Sequence, residues 1–372
     1  MSASRAKSKR DPHAWRRRRL AKLRRAMRNA GCDSALLTNA NDIRYITGFS
    51  GEDSYAVVSG RSVVVVSDFR FEEDLRIVRG IARVHLRKGD MVEALREVIS
   101  DLNPDALAFQ SEHVSVHLRA RLAKAVGAKL LKPTVGLLAG LRLIKDESEI
   151  RTIRKAVKIQ EKALLETLGT LKPGQTESHI AATLEYNLKA LGADGVSFPT
   201  IVAARANGSK PHAVPGKTKT GNNQPLLIDW GARVDGYCSD MTRTFTLGRW
   251  SGPMREVYEV VLDAQVAAIK AVGPDVSTKA IDRVARDIIA EAGYGDRFGH
   301  GLGHGIGLDI HEGPRVAQLG ETKLKPGMIV TIEPGVYLPG VGGVRIEDDV
   351  LVTATGATNL CSLPKTLDWA AR

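Results

Sequence analysis

Apolar positions change their period several times along this chain, and each change marks an element. Leu20, Leu23 and Met27 recur at helical spacing and predict an opening amphipathic helix. Apolar runs at 34–38, 55–59 and 62–67 predict short strands, the last two joined as a hairpin across Gly60-Arg61. Helical patterns follow at about 70–79, 89–101 and 113–126, with a strand-like run at 106–109. Beyond Asp146, Ile150, Ile153, Ala156 and Ile159 lie along a predicted helix over 147–170, and a second spans 176–191. Strand signals come at 200–204, 225–231 and 241–247, and helices at 252–271 and 277–292. The end is β-rich, at 328–333, 336–338 and 343–353. Helices grouped with hairpins predict an α+β second part behind a smaller α/β unit, with a boundary near 138–146.

One segment has its own pattern. From 299 to 307 every odd position is Gly, while 300, 302, 304, 306, 308 and 310 are His, Leu, His, Ile, Leu and Ile. A period of two predicts extended chain with one face stripped so that something can approach closely. Three of the nine histidines, His300, His304 and His311, fall in this stretch, which calls for a chemical reason. An i,i+4 helical zinc pair is disfavoured by five glycines in nine residues. The glycines form neither a dinucleotide fingerprint nor a phosphate loop.

Charge changes the picture only at one end. The formal net charge is +12, but residues 1–28 hold twelve Lys/Arg and one acid, Asp11, which leaves the remainder nearly neutral. The arm reads as solvated chain running into a surface helix; an Arg-rich mitochondrial presequence there stays open. Nucleic acid is not an expected partner beyond nonspecific contact of this arm. No apolar run approaches a membrane span. Cys32, Cys238 and Cys361 form neither a disulfide framework nor a CxxC zinc pattern, which fits a cytoplasmic protein.

The acids are placed for metal chemistry. Asp229 ends the apolar strand Leu226-Leu-Ile-Asp, and Asp240 follows beyond the turn signal Asp235-Gly236. A hairpin folded near 234–236 sets the two on roughly opposing positions. Glu333 ends a second apolar run, and Glu347 lies in a third. Four carboxylates beside apolar strands repel without a cation. Two divalent ions balance them, with a neutral imidazole completing the set. An oxygen-rich set favours Mn²⁺, with Co²⁺, Zn²⁺ and Fe²⁺ open. In extended chain His300 and His304 stand about 13 Å apart, so one ligand, His304, and two flanking non-ligands, His300 and His311, is the economical assignment.

These residues resemble the pita-bread metallopeptidase family, in its aminopeptidase P and prolidase branch. Asp229, Asp240, His304, Glu333 and Glu347 match the family's five metal ligands in order, and His300 and His311 match its flanking catalytic histidines. His212, in Pro211-His-Ala-Val-Pro215, and Arg345 match a substrate-side histidine and an arginine near the metals. The resemblance implies a creatinase-type N-terminal α/β domain at 15–137, carrying Asn41-Asp-Ile-Arg-Tyr-Ile-Thr-Gly-Phe49, and a pita-bread catalytic domain at 146–360; only the basic arm, expected from its charge as disordered chain at 1–14, lies outside it. It implies a dinuclear hydrolase cleaving the Xaa-Pro bond of proline-containing peptides, acting as a homodimer or larger. The expectation leans to Xaa-Pro aminopeptidase, with Xaa-Pro dipeptidase (prolidase) as the alternative. More distant readings are methionine aminopeptidase, opposed by the extra N-terminal domain, and a non-enzymatic binding module, opposed by the complete ligand set.

Overall fold

The computed structural model describes residues 13–250 and 252–370, so most of the basic arm expected at 1–14 lies outside the described residues. The chain forms two compact units, divided between Leu141 and Arg142. No helix of the described residues is long and apolar enough to cross a membrane.

The first unit opens with α1 (Ala14–Asn29), which buries Leu20, Leu23 and Met27 as their spacing predicts. Two of its arginines are buried as well. The Arg19 guanidinium stands 4.3 Å from the ring centroids of both Trp15 and Tyr45, so cation–π contact offsets its lost hydration. Next come β1 (Ser34–Leu37), α2 (Ala40–Thr47), β2 (Tyr55–Ser59), β3 (Val63–Ser67) and β4 (Arg83–Leu86). Then follow α3 (Met91–Leu102), β5 (Leu107–Gln110), α4 (Val116–Val126) and β6 (Leu131–Thr134). The strands form one mixed sheet in the order β4-β3-β2-β1-β5-β6. The helix expected at 70–79 is instead two short 3₁₀ turns, Phe69–Phe71 and Asp74–Val78. The edge strands β4 and β6 carry no apolar run, so their sequences give no strand signal.

A single helical turn, α5 (Ala139–Arg142), precedes the long helix α6 (Glu147–Thr170). Asp146 and Glu149 start α6 with a reciprocal capping box. After α7 (Glu177–Ala190) come β7 (Gly195–Val196), β8 (Ile201–Ala204), β9 (Pro225–Trp230), β10 (Ala232–Val234), β11 (Tyr237–Cys238) and β12 (Met241–Thr246). Helices α8 (Gly252–Ala271) and α9 (Thr278–Glu291) lead to β13 (Gly303–Gly305), β14 (Glu312–Val316), β15 (Ile329–Ile332), β16 (Gly335–Leu338), β17 (Gly342–Arg345), β18 (Asp348–Val352) and β19 (Ala357–Asn359).

Each helix pair covers its own sheet. α6 and α7 pack Ala156, Leu164 and Leu184 against Val202, Ile228 and Trp230 of the β12-β9-β8 sheet. α8 and α9 pack Val257, Val261, Ile281 and Ile289 against Val330, Ile332 and Val350 of the β14-β13-β15-β18-β19 sheet. The apolar faces of these strands are spent on helices. Their acid-bearing positions lie at the strand ends, where β9, β12, β15 and β18 meet the site.

Candidate metal centre

The hairpin that carries Asp229 and Asp240 is set by its turn. Asp235 and Gly236 both have positive φ, 46° and 78°, the geometry of a tight two-residue hairpin turn. That turn puts Val234 opposite Tyr237 and Arg233 opposite Cys238. The same count brings Asp229 opposite Thr242, not Asp240. The two aspartates are therefore diagonal neighbours on one face rather than directly opposed, about 7–8 Å apart along such a diagonal. A turn one residue earlier would have paired them directly. Opposite Asp240 stands Gly231, where a side chain would collide with the Ser239 carbonyl.

The glycine-histidine segment is not one long strand. Only Gly303–Gly305 is β, and the chain turns back so that Gly303 pairs with Val316 and Gly305 with Glu312. The return brings the His311 ring edge-on to His304, with centroids 4.4 Å apart. The stripped face is filled by this protein's own backbone. A side chain at Gly303 would strike the Thr331 carbonyl, and one at Gly305 the Gly313 carbonyl. Gly307 leaves room for the Glu312 carboxylate. The close approach expected at this face is thus by neighbouring strands.

The candidate ligands converge. One donor atom each from Asp240, His304 and Glu347 lies within 4.8 Å of the others. His304 Nε2 is 3.7 Å from Asp240 Oδ2 and 3.4 Å from Glu333 Oε1. Its Nδ1 is 3.1 Å from the Gly305 carbonyl, a bond that requires a proton on Nδ1. Nε2 then presents its lone pair to the carboxylates. Asp229 is held from the other side: Arg345 Nη2 donates to its Oδ2 at 2.6 Å. Thr242 Oγ1 donates to Glu347 at 2.6 Å and accepts from Arg345 Nε at 3.0 Å, which ties Arg345 to the ligand set.

Electrostatics record the crowding. Burial, then the charges of Glu347 and Asp229, hold the Asp240 carboxyl well above its ordinary pKa. Burial, then Glu333 and Asp229, does the same to Glu347. Burial raises Asp229 against the opposing pull of Arg345, and pushes Glu333 up to about 8. Burial, then His311, brings His304 down to about 4, which keeps it a neutral donor. Asp229 Oδ1 and Asp240 Oδ1 are buried without a hydrogen-bond partner. Orphaned carboxylate oxygens around a neutral imidazole fit divalent cations, whose charge would bring the raised carboxyls back down.

Metal addition is therefore expected to stabilise the protein. At a hundredfold excess over Kd the gain is about 2.7 kcal/mol, or roughly 5–10 °C in Tm for a unit of this size. The shift grows as pH rises from 5 to 8, because the raised carboxyls hold protons that the ion must displace. Differential scanning fluorimetry of EDTA-stripped protein checks this; no shift with Mn²⁺, Co²⁺, Zn²⁺ or Fe²⁺ counts against the centre.

All nine sequence-selected residues line one cavity of about 860 Å³. His300 is committed inside it. Its Nδ1 faces the Gly301 carbonyl at 2.8 Å and its Nε2 faces Tyr337 Oη at 2.9 Å. Arg345 Nη1 also donates to that hydroxyl at 2.8 Å, so Tyr337 donates to His300. Burial brings His300 down to about 4, consistent with this neutral form. Sequence reasoning missed Tyr337, Thr242 and Arg315. Arg315 is exposed, lines the cavity and makes no ion pair among the described residues. Tyr337 lies four residues beyond Glu333 and Thr242 two beyond Asp240, so proximity to the acids was the available signal.

Acids and an imidazole gathered on strand ends beneath a large cavity define a metal-dependent enzyme. Residues 151–354 match metallopeptidase family M24, and residues 19–144 match the creatinase/prolidase N-terminal domain. The chain belongs to metallopeptidase family M24: it is a hydrolase with the α+β pita-bread fold behind a smaller α/β domain. It is 35% identical to the structure of an Xaa-Pro dipeptidase from Bacillus anthracis, with TM-score 0.91 over 95% of this chain and 99% of that one. An X-Pro aminopeptidase structure from Thermotoga maritima is 36% identical, with TM-score 0.87 over 92% and 99%. The Xaa-Pro dipeptidase of Pyrococcus furiosus is 35% identical over 94% of this chain and 99% of its own.

Proposed function

We propose that this protein is a dinuclear Xaa-Pro dipeptidase, with Mn²⁺ as the favoured ion. Asp229, Asp240, His304, Glu333 and Glu347 would hold the two ions; the chemistry they supply when bound is Lewis-acid activation of water and of the scissile carbonyl. Glu333, its carboxyl pushed up to about 8 by burial, would take a proton from the attacking water and pass it to the departing proline nitrogen. His311 stands exposed beside His304, and His212 faces the cavity from a loop. His300 has neither ring nitrogen left for substrate, so it acts through Tyr337 and Arg345. An Xaa-Pro nitrogen has no N–H, so the site requires no acceptor for it.

The sequence alone leans to an aminopeptidase; the dipeptidase relatives and one observation favour the alternative. That observation is Arg315, a cation at the cavity wall with no acid partner among the described residues. A dipeptide presents its free carboxylate just beyond the scissile bond, and guanidinium binds carboxylate in a bidentate fork. Arg315→Ala is expected to raise KM for an Xaa-Pro dipeptide about 10–100-fold, the loss of a charge-assisted contact of about 1.5–3 kcal/mol. The C-terminally amidated substrate should change little. The Thermotoga maritima relative supports an aminopeptidase as the second reading. Comparing Xaa-Pro with Xaa-Pro-Xaa under Mn²⁺ decides between them, and faster cleavage of the tripeptide overturns the dipeptidase.

A further inference from the structure

We infer that Glu177 is a positioning residue for substrate, acting through the loop that carries His212. Glu177 is the first residue of α7 and is fully buried, although nothing about the metal centre requires a carboxylate there. Its Oε1 accepts from the Ala204 backbone N–H at 2.7 Å and from Asn207 Nδ2 at 3.0 Å. Its Oε2 accepts from the Gly216 N–H at 3.0 Å. Ala204 ends β8, and Gly216 lies just beyond Pro211-His-Ala-Val-Pro215. One carboxylate thus closes both ends of the segment 205–215. The α7 N-terminus favours a negative charge at this position.

The rest of the loop is arranged around that closure. Asn207 Nδ2 also donates to Thr218 Oγ1 at 2.9 Å, and Ser178 N–H donates to the Gly216 carbonyl at 3.1 Å. Arg205, the first loop residue, has φ of 56°, a conformation that must be held by its surroundings. Inside the loop Ala213 is buried with Ile201, Ala203 and Leu227. Arg345 Nη1 reaches the Pro211 carbonyl at 3.3 Å, and Gly208 packs closely on Gly343. Pro211 to Pro215 all line the cavity, with Val214 86% exposed. None of the five candidate metal ligands is on this loop. Opening its base would therefore displace the substrate wall and His212 while leaving the metal centre in place.

The inference rests on the proposed role of His212 at the substrate, so two readouts are needed. In Glu177→Gln one acceptor oxygen remains, so at least one of the three hydrogen bonds is lost; Glu177→Ala loses all three. The milder variant guards against misfolding. On the Mn²⁺-loaded full chain with an Xaa-Pro dipeptide, Glu177→Gln should raise KM about tenfold with kcat changed less, and leave metal affinity unchanged. Added to His212→Ala it should cost nothing further, because both act through one loop. Hydrogen exchange should quicken over 204–218 and not over β12 or β15. That measurement needs no activity, so it separates failure of this inference from failure of the dipeptidase reading. Unchanged exchange at 204–218, weakened metal binding, or full additivity with His212→Ala would overturn it.

Discussion

Asp240→Asn is expected to lower turnover by about 10³-fold or more without unfolding the protein. Asn has the same shape and keeps the backbone N–H that donates to Asp349 Oδ2 at 3.0 Å. What it loses is a charge at the point where the Asp240, His304 and Glu347 donor atoms lie within 4.8 Å of each other. It also turns an amide N–H₂ or a weaker oxygen toward the cation. Metal centres supply several kcal/mol of transition-state stabilisation, and about 4 kcal/mol corresponds to 10³-fold. The metal-free protein should respond in the opposite direction. Burial and neighbouring acids already hold the Asp240 carboxyl well above its ordinary value, so removing the charge relieves repulsion. The EDTA-stripped variant should melt no lower than the stripped wild type, the usual exchange of stability against activity at a strained site. Metal content by elemental analysis, turnover on an Xaa-Pro dipeptide, and melting in EDTA check the three parts. A variant that holds two ions and turns over within tenfold of wild type removes Asp240 from the centre.

The residues of the candidate site were legible in sequence because they violate local expectation. An acid at the end of Leu226-Leu-Ile-Asp229 or Met328-Ile-Val-Thr-Ile-Glu333 interrupts an apolar run with a charge. Three histidines among glycines stand out in the same way. The structure gathers all of these in one cavity. Residues that obey local expectation stayed hidden. Thr242 is an ordinary strand residue, and only its place opposite Asp229 brings it to Glu347. Tyr337 is an ordinary β residue, and only Arg345 and His300 give its hydroxyl a task. Glu177 reads as a favourable charge in the first turn of a helix, and its burial depends on a loop 27 to 39 residues away.

The same distinction applies to the fold. The long helices were readable from their period, because α6 and α9 each bury apolar residues at helical spacing, although Gln160 and Glu161 of α6 and Asp282 of α9 are buried among them. Registers and strand ends depended on finer detail. The Asp235-Gly236 turn fixed the pairing of β9 with β12, and assigning it one residue early makes diagonal neighbours look directly opposed. The glycine period at 299–307 read as one extended strand. The chain instead turns back after Gly305, since what needs room beside those glycines is Thr331 and Gly313 of the same unit. A period of two reports a face; it does not report what covers that face.

The largest loss of stability is expected at a pair that touches no substrate. Arg243 and Asp348 are both wholly buried, with Arg243 Nη2 2.8 Å from Asp348 Oδ1. Arg243 Nη1 donates to the Thr242 and Glu347 carbonyls, and Nη2 also donates to that of Leu363. This joins β12, the start of β18 and the C-terminal segment behind the metal centre. Asp348 Oδ2 accepts from Lys365, Gln265 and Asn359. Burial alone would raise the Asp348 carboxyl, but Arg243 and Lys365 outweigh it and leave it below its ordinary value. Arg243→Met removes the main counter-charge from a buried carboxylate, a change that costs about 3–5 kcal/mol, or roughly 6–20 °C in Tm. Arg243→Met with Asp348→Asn should fall short of the summed single losses by about 1 kcal/mol or more, since the second change removes the charge stranded by the first. The sign with pH follows from the lowered carboxyl. Its contribution is complete above the unfolded value of about 3.9 and fades as pH falls through the folded value. The gap between wild type and Arg243→Met should therefore narrow as pH falls, beginning above about pH 4, because the stranded carboxyl, no longer held down by Arg243, takes up its proton at higher pH than the wild-type group does. Urea titrations at successively lower pH measure it. A gap under 1 kcal/mol at pH 7, or one that widens in acid, would mean that the backbone bonds of Arg243 matter and its charge does not.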